Sequence, residues 1–287
     1  MFGILNLNKP PDWTSRDVVN RIQRLVGRAK AGHAGTLDPL ATGVLIVCVG
    51  HATRLIQYVQ RMPKRYCGTF VMGMSSDTED TAGRVVPTGD DVRPTVDQFQ
   101  AVLPSFVGQI QQVPPAYSAL KVQGKRAYAL ARGGQPVDLP ARTIMVHQLR
   151  LLDYNYPQFT MEIDCGSGTY VRSLGRDIAR RLGTEAIMSN LVRTAIGPFR
   201  RDEALDPTTL TPENIGSNLM SPLIALTELP RITIDPSQQR RLLQGLAIDN
   251  RWDVDGPELA AVDADGRLRS IVASRPVQQL IPIKNFS

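Results

Sequence analysis

Cysteine is scarce in this chain. Cys48, Cys67 and Cys165 are the only three in 287 residues, scattered, odd in number and without a Cys-x-x-Cys pair. That excludes a disulfide framework and a cysteine-based zinc site. Histidine is equally sparse. His33, His51 and His147 share no ligand spacing, which argues against a metal centre. No apolar run approaches the roughly 20 residues of a membrane-spanning helix, and no signal-peptide core stands at the N-terminus. We therefore expect a cytoplasmic protein in a reducing compartment, with no membrane partner. Neither the phosphate-loop Gly-Lys-Ser/Thr nor a Gly-x-Gly-x-x-Gly after a strand is present, so no nucleotide cofactor is expected, nor any other. Internal repeats are absent as well.

What is there is a globular, basic chain. Hydrophobic residues make up 42% and charged residues 21%, which favours a packed core over disorder. A net charge of +6 and a pI near 9.4 favour a polyanionic partner. The pattern predicts strands over 2–7, 44–49, 66–74, 143–152, 158–165 and 188–196, and helices from Thr14 to Gly27, over 51–60, from Thr95 to about Leu103 and from about Tyr170 to Leu182. Thr14 with Asp17, and Thr95 with Gln98, read as capping boxes. Residues 75–83 read as a polar turn. The segment 109–143 holds Lys121, Lys125, Arg126, Arg132 and Arg142 against a single acid, Asp138, and reads as a projecting basic excursion. Prolines cluster at 207–230, marking a boundary between 1–228 and a tail at 229–287. The mixture of elements suggests an α+β fold.

Few residues invite chemistry. Asp38 lies between Leu37 and Pro39 in a stretch with glycines at 32, 35 and 43. Pro39 restricts it to extended conformations, and a carboxylate so held can act as nucleophile or base. A turn-forming aspartate fits the same facts. His33 shares the glycine-rich stretch and is a candidate ligand contact. Arg172 and Tyr170 follow Gly166-Ser167-Gly168-Thr169, where an arginine can pair with a carboxylate or a phosphate. Cys48, inside an apolar run, reads as a core thiol.

These motifs together resemble the bacterial tRNA pseudouridine-55 synthase family, TruB, over essentially the whole chain. Leu7-Asn8-Lys9-Pro10-Pro11-Asp12-Trp13-Thr14-Ser15 is similar to its opening motif, and Gly32-His33-Ala34-Gly35-Thr36-Leu37-Asp38-Pro39-Leu40-Ala41-Thr42-Gly43 to its catalytic loop. Lys64-Arg65-Tyr66 and Asp77-Thr78-Glu79-Asp80 resemble its tyrosine strand and the turn after it. Pro114-Pro115-Ala116-Tyr117-Ser118-Ala119-Leu120-Lys121 with Gly124-Lys125-Arg126-Ala127-Tyr128 resembles its RNA-clasping thumb. Gly168-Thr169-Tyr170-Val171-Arg172-Ser173-Leu174 and Leu191 with Arg193-Thr194 resemble two later motifs. Val192 and Leu139 depart from the pattern, where relatives often carry polar or basic residues.

The resemblance implies a pseudouridine-synthase fold with a mixed central sheet and a thumb insertion at about 109–143, plus a small PUA-like β domain at 229–287. It implies isomerisation of uridine 55 in the T loop of tRNA, flipped out of its stack. Asp38 would be the nucleophile, kept ionised by Arg172. Tyr66 would stack on the base, and Tyr170 would pack beneath it or assist proton transfer at C5. Leu191 would shape the pocket wall and His33 would fill space left by the flipped bases. Lys9 would support the loop or touch RNA, while Lys121, Lys125, Arg126, Arg132 and Arg142 would grip the T arm. No metal, guide RNA or obligate protein partner is implied, and a monomer is expected. Three alternatives stay open: a guide-RNA-dependent subunit, a tRNA-folding chaperone, and a glycoside hydrolase. The last usually needs two placed carboxylates, and the sequence offers Asp38 no evident second.

Overall fold

The structure, a computed structural model, describes all residues except 119, 123, 124, 128, 129, 131, 132, 134–138, 253, 255, 276, 277 and 287, and the side chains of 121, 122, 125 and 126. In chain order its elements are β1 (Gly3–Lys9), α1 (Ser15–Val26), β2 (Ala31–His33), β3 (Thr42–Val49), α2 (Ile56–Arg61), β4 (Lys64–Met72), β5 (Met74–Ser76), β6 (Val85–Pro87), α3 (Val96–Val102), β7 (Gly108–Gln112), β8 (Lys121–Val122) and β9 (Lys125–Arg126). There follow β10 (Arg142–Asn155), β11 (Gln158–Cys165), α4 (Val171–Arg181), β12 (Ala186–Ile196), β13 (Phe199–Arg200), β14 (Arg231–Thr233), α5 (Pro236–Leu243), β15 (Ile248–Asp249), β16 (Glu258–Val262), β17 (Leu268–Arg275) and β18 (Gln279–Asn285). Among the described residues no helix is long and apolar enough to cross a membrane.

The fold is α+β. A central sheet runs β1-β3-β12-β4-β11-β10-β7, with β2 added to β3 and β13 to β12. Every pairing is antiparallel except β3 with β12, so the sheet is mixed. Strand β3 shows why its sequence is a continuous apolar run. Successive side chains face opposite ways: Val44, Ile46 and Cys48 enter one apolar cluster, Leu45, Val47 and Val49 another. Cys48 is fully buried, and burial pushes its thiol up to about 12.

Helix α1 begins as its residues dictate. The Thr14 side chain accepts from the Asp17 N–H, and the Asp17 carboxylate accepts from the Thr14 N–H, a reciprocal cap. Val18, Val19, Ile22 and Val26 then face the cluster formed with β1 and β3. Helix α4 lies on the other core, where Leu174, Ile178 and Ala179 meet Phe70 and Phe159. Its approach is close: a Cβ on Gly175 would fall 2.1 Å from the Phe70 ring. That contact seats the start of α4, with Tyr170 and Arg172, over β4.

Several expectations need adjusting. The helix anticipated over 51–60 begins as a 3₁₀ segment, Gly50–Leu55, and only Ile56–Arg61 is α-helical. Residues 74–76 and 85–87 pair as strands around the polar turn. The basic excursion is shorter than 109–143, because Gly108–Gln112 pairs with Arg142–Val146 in the central sheet. The excursion proper spans 113–141 and holds the hairpin of β8 and β9. Leu139 is buried there.

The C-terminal segment forms its own five-stranded sheet, β14-β16-β17-β18-β15, with β14 and β16 parallel. It packs directly on the first sheet. Ala260, Val262, Leu268, Ile271 and Phe286 share one apolar cluster with Ile4, Val44 and Ile46. Phe2 stacks on Phe286 with centroids 5.7 Å apart, and the Tyr58 hydroxyl donates to Glu258 at 2.7 Å.

Candidate active site

The bend at 35–39 is held by its own backbone groups. Ser15 Oγ accepts from the Leu37 N–H at 2.9 Å and donates to the Leu37 carbonyl at 3.2 Å. The buried Arg193 donates to the carbonyls of Val44 (2.7 Å), Gly35 (3.1 Å) and Thr36 (3.5 Å). Gly43, at φ +97°, lets β3 lie against Arg193; a Cβ there would sit 2.2 Å from the Arg193 carbonyl oxygen. Lys9, with no exposed surface, gives its ammonium to the carbonyls of Pro10 (2.8 Å), Trp13 (2.5 Å) and Pro39 (2.9 Å). All three of its protons are used, so Lys9 braces the loop. Burial lowers its pKa to about 8. Replacing it by Met orphans three carbonyls at about 1–3 kcal/mol each. Lys9→Met should therefore lose at least about 3 kcal/mol of stability in urea unfolding while tRNA affinity per folded molecule holds; a loss in affinity without a loss in stability would reverse that assignment.

The loop so fixed presents Asp38 to Arg172. The pair is bidentate: Arg172 Nε lies 3.0 Å from Asp38 Oδ2 and Nη2 lies 3.4 Å from Oδ1. Nη1 donates to the Thr78 carbonyl at 2.6 Å and faces Asp80 at 3.4 Å, and Nη2 also donates to the Tyr117 carbonyl at 3.2 Å. The five N–H groups of the guanidinium thus meet five acceptors. Arg172 and Asp80 are almost wholly enclosed, while 34% of the Asp38 side chain remains open.

That opening is a cavity of about 350 Å³, walled by Leu37, Tyr66, Tyr117, Tyr170, Leu191 and Arg193 among others. Tyr66, on β4, is 8% exposed, and burial raises its phenol above the ordinary value. Tyr170 stands at the N-cap of α4, its ring covered by the Arg142 guanidinium at 4.6 Å. Arg142 also donates to the Gly168 carbonyl. Arg142 therefore belongs to the cavity wall, where the sequence had suggested a grip out on the excursion.

Two expectations about electrostatics change. Arg172 lowers the Asp38 pKa, but burial raises it more and Asp80 adds to the rise, so the carboxyl stands above its ordinary 3.8. Asp38 also has a second carboxylate close by after all. Asp80 shares Arg172 with it and is fixed by the Thr78 hydroxyl (2.5 Å) and the Ala82 N–H (3.0 Å).

His33 lies apart from this cavity lining. It sits half-buried in β2, opposite Val47, with Nδ1 lacking a partner among the described residues. Burial and the charges of Arg16 and Arg193 lower its pKa, which favours the neutral imidazole. Lys121, Lys125 and Arg126 lie on the β8–β9 hairpin, but their side chains fall outside the described residues, as does all of Arg132.

The residues that sequence reasoning missed are Asp80, Glu79, Ser118 and Gln112. Glu79 accepts from Ser173 (2.6 Å) and pairs with Arg176, docking the 77–83 turn on α4. The Ser118 hydroxyl is buried on the cavity wall without a partner among the described residues. Only the family-like motifs at 77–80 and 114–121 gave a signal for any of them.

Comparison with known proteins agrees with this architecture. The profile of the TruB family pseudouridylate synthase N-terminal domain matches residues 23–171. The tRNA pseudouridine synthase B of Halalkalibacterium halodurans is 40% identical, covering 96% of this chain and 94% of the relative. That of Dehalococcoides mccartyi is 39% identical, covering 100% and 97%. A Cbf5-Nop10-Gar1 complex has a chain of similar structure, with a TM-score of 0.75 at 26% identity, covering 100% of this chain and 84% of that one. With a family profile spanning more than half its length and relatives near 40% identity end to end, this chain belongs to the TruB family of pseudouridylate synthases.

Proposed function

We propose that this enzyme isomerises uridine 55 in the T loop of tRNA to pseudouridine, with Asp38 as the carboxylate that acts on the everted nucleotide. The observation that carries the reading is the Asp38–Arg172 pair at the floor of a cavity walled by Tyr66, Tyr170 and Leu191. Pseudouridine formation breaks N1–C1′, turns the uracil and joins C5 to C1′. The C5 proton is lost and N1 gains one, so the reaction balances without a redox partner. What it asks of a protein is a placed carboxylate, a platform for a turning ring and exclusion of water. Asp38 supplies the first. Tyr66 and Tyr170 supply the second, as aromatic side chains do for unstacked bases. The target uridine must leave its stack, at a few kcal/mol, offset by pocket and phosphate contacts. Ser118 and Arg142 offer donors to the flipped nucleotide from the cavity wall.

The remaining roles follow the same logic. Lysines and arginines of the excursion hold the T-arm backbone, neutral His33 occupies space the flipped bases vacate, and the unit at 229–287 is a small RNA-binding domain of the PUA class. The chain acts alone as a monomer. Relatives named tRNA pseudouridine synthase B match at about 40% identity, against 26% for the Cbf5 protein of a multi-subunit complex. The direct test incubates the pure protein with a T-stem-loop RNA and maps pseudouridine. Conversion of uridine 55 alone, without guide RNA, is expected; conversion only after a guide RNA is added would transfer the chain to the other class.

A further inference from the structure

One residue joins the root of the excursion to the reacting centre and has no place in the chemistry above. Gln112 is the last residue of β7, where the chain leaves the sheet, and only 1% of it is exposed. Its carboxamide grips the main chain of Tyr170 from both sides. Nε2 donates to the Tyr170 carbonyl at 3.0 Å, and Oε1 accepts from the Tyr170 N–H at 2.9 Å. The same carbonyl opens helix α4 by accepting from the Leu174 N–H at 3.1 Å. Tyr170 itself is extended, φ −94° and ψ 110°, and has no side-chain cap. A buried amide is costly to desolvate unless both ends are bonded. Here both ends are bonded by the main chain of one residue, and that residue carries a ring of the cavity wall.

Two neighbouring contacts run the same way. Arg176 Nη2 donates to the Val113 carbonyl at 3.2 Å, and Arg172 Nη2 to the Tyr117 carbonyl at 3.2 Å. The root of the excursion and its first residues are thus pinned to the N-cap of α4, Tyr170, and to two residues of the helix, Arg172 and Arg176. Two of these are the residues that face Asp38 and the base. The arginines have other duties, in the pairs with Asp38 and Glu79. Gln112 makes no other side-chain contact of this kind among the described residues.

We propose that Gln112 is a positioning residue that locks the Tyr170 main chain to the excursion's root, so that RNA held by the excursion and the ring beneath the base share one frame. The inference rests on the roles given above to Tyr170 and the excursion. Its physical content is geometric: a misplacement of about 1 Å at a reacting centre costs roughly a hundredfold in rate. Gln112 acts on the step after binding, and its loss leaves the phosphate contacts that dominate affinity in place.

The test uses the full-length enzyme and unmodified tRNA transcript. Gln112→Met keeps the side-chain length and removes both hydrogen bonds; Gln112→Ala removes the side chain. Single-turnover rates at saturating enzyme should fall by roughly tenfold to a hundredfold, with the tRNA dissociation constant unchanged within about twofold. In a Tyr170→Ala background, which has no ring to aim, the further loss on adding Gln112→Met should shrink to less than about threefold. Wild-type turnover by Gln112→Met overturns the proposal. So does a loss that appears in affinity, full additivity with Tyr170→Ala, or failure of both variants to fold, each of which makes Gln112 a binding or a stability residue. If Tyr170→Ala itself turns over normally, the reading of the site is at fault; if Tyr170→Ala is crippled and Gln112→Met is not, only the clamp is.

Discussion

Asp38→Asn should abolish release of tritium from tRNA labelled at uridine C5, lowering turnover by roughly four orders of magnitude or more, while tRNA affinity stays within a few-fold of the parent. In the proposed reaction the Asp38 carboxylate acts on the everted nucleotide, and an amide of the same shape cannot take its place. Binding should survive because phosphate contacts carry most of it. The fold should survive too. Burial raises the Asp38 pKa above 3.8, so its ionised form works against folding at any pH above that value. Removing the charge relieves this opposition, and Arg172 keeps Asp80, the Thr78 carbonyl and the Tyr117 carbonyl. The Tm at neutral pH should therefore be equal or higher. Turnover within tenfold of the parent would remove Asp38 from its role.

Arg172→Met should come next in severity, with turnover at pH 7 down on the order of a hundredfold or more. The acid limb of the pH–rate profile should also move. Asp38 must be ionised to act, so activity falls as pH drops through its pKa. Arg172 is the cation that opposes the effect of burial, and Asp80 is the like charge that adds to it. Without Arg172 the two carboxylates face each other with their shared counter-charge gone, so the Asp38 pKa rises further and less carboxylate is present at a given pH. The limb should shift to higher pH, and raising the pH should recover part of the rate. A profile displaced downward with its midpoint unmoved would show that Arg172 serves only to shape the pocket. Asp80→Asn offers the mirror image, an acid limb moved to lower pH.

Where the chain announces its structure, it does so locally. The caps at Thr14 and Thr95 need only four residues each, and both form as those residues indicate. The apolar run at 44–49 can satisfy two cores only as a central strand, and β3 is one. By contrast, β7 reads Gly-Gln-Ile-Gln-Gln, with too little apolar alternation to mark a strand. It exists because β10 offers a ladder at the sheet edge. The same holds for β14, β15 and β18, none of which the sequence pattern marked as a strand.

The site divides likewise. Asp38, Tyr66, Tyr170 and Arg172 stand in motifs, and the fold gathers all four at one cavity. Asp80 sits in a polar turn whose composition explains itself without chemistry, and its partner Arg172 lies far along the chain on another element. Gln112 is one glutamine among several. The net direction of the Asp38 pKa depends on how deeply the loop is enclosed, which no short-range pattern records.

The shared apolar cluster beneath β3 has a consequence for how the molecule comes apart. Each sheet has an apolar cluster of its own, but a third is shared between them: Ile4, Val44 and Ile46 are roofed by Ile271 and Phe286, and the roof is fastened by Tyr58 to Glu258 and by Arg54 to the Asn285 carbonyl. The C-terminal segment is thus a thermodynamic keystone for the sheet it covers. A chain ending after β13 would emerge with an oily flank exposed and a strong tendency to clump.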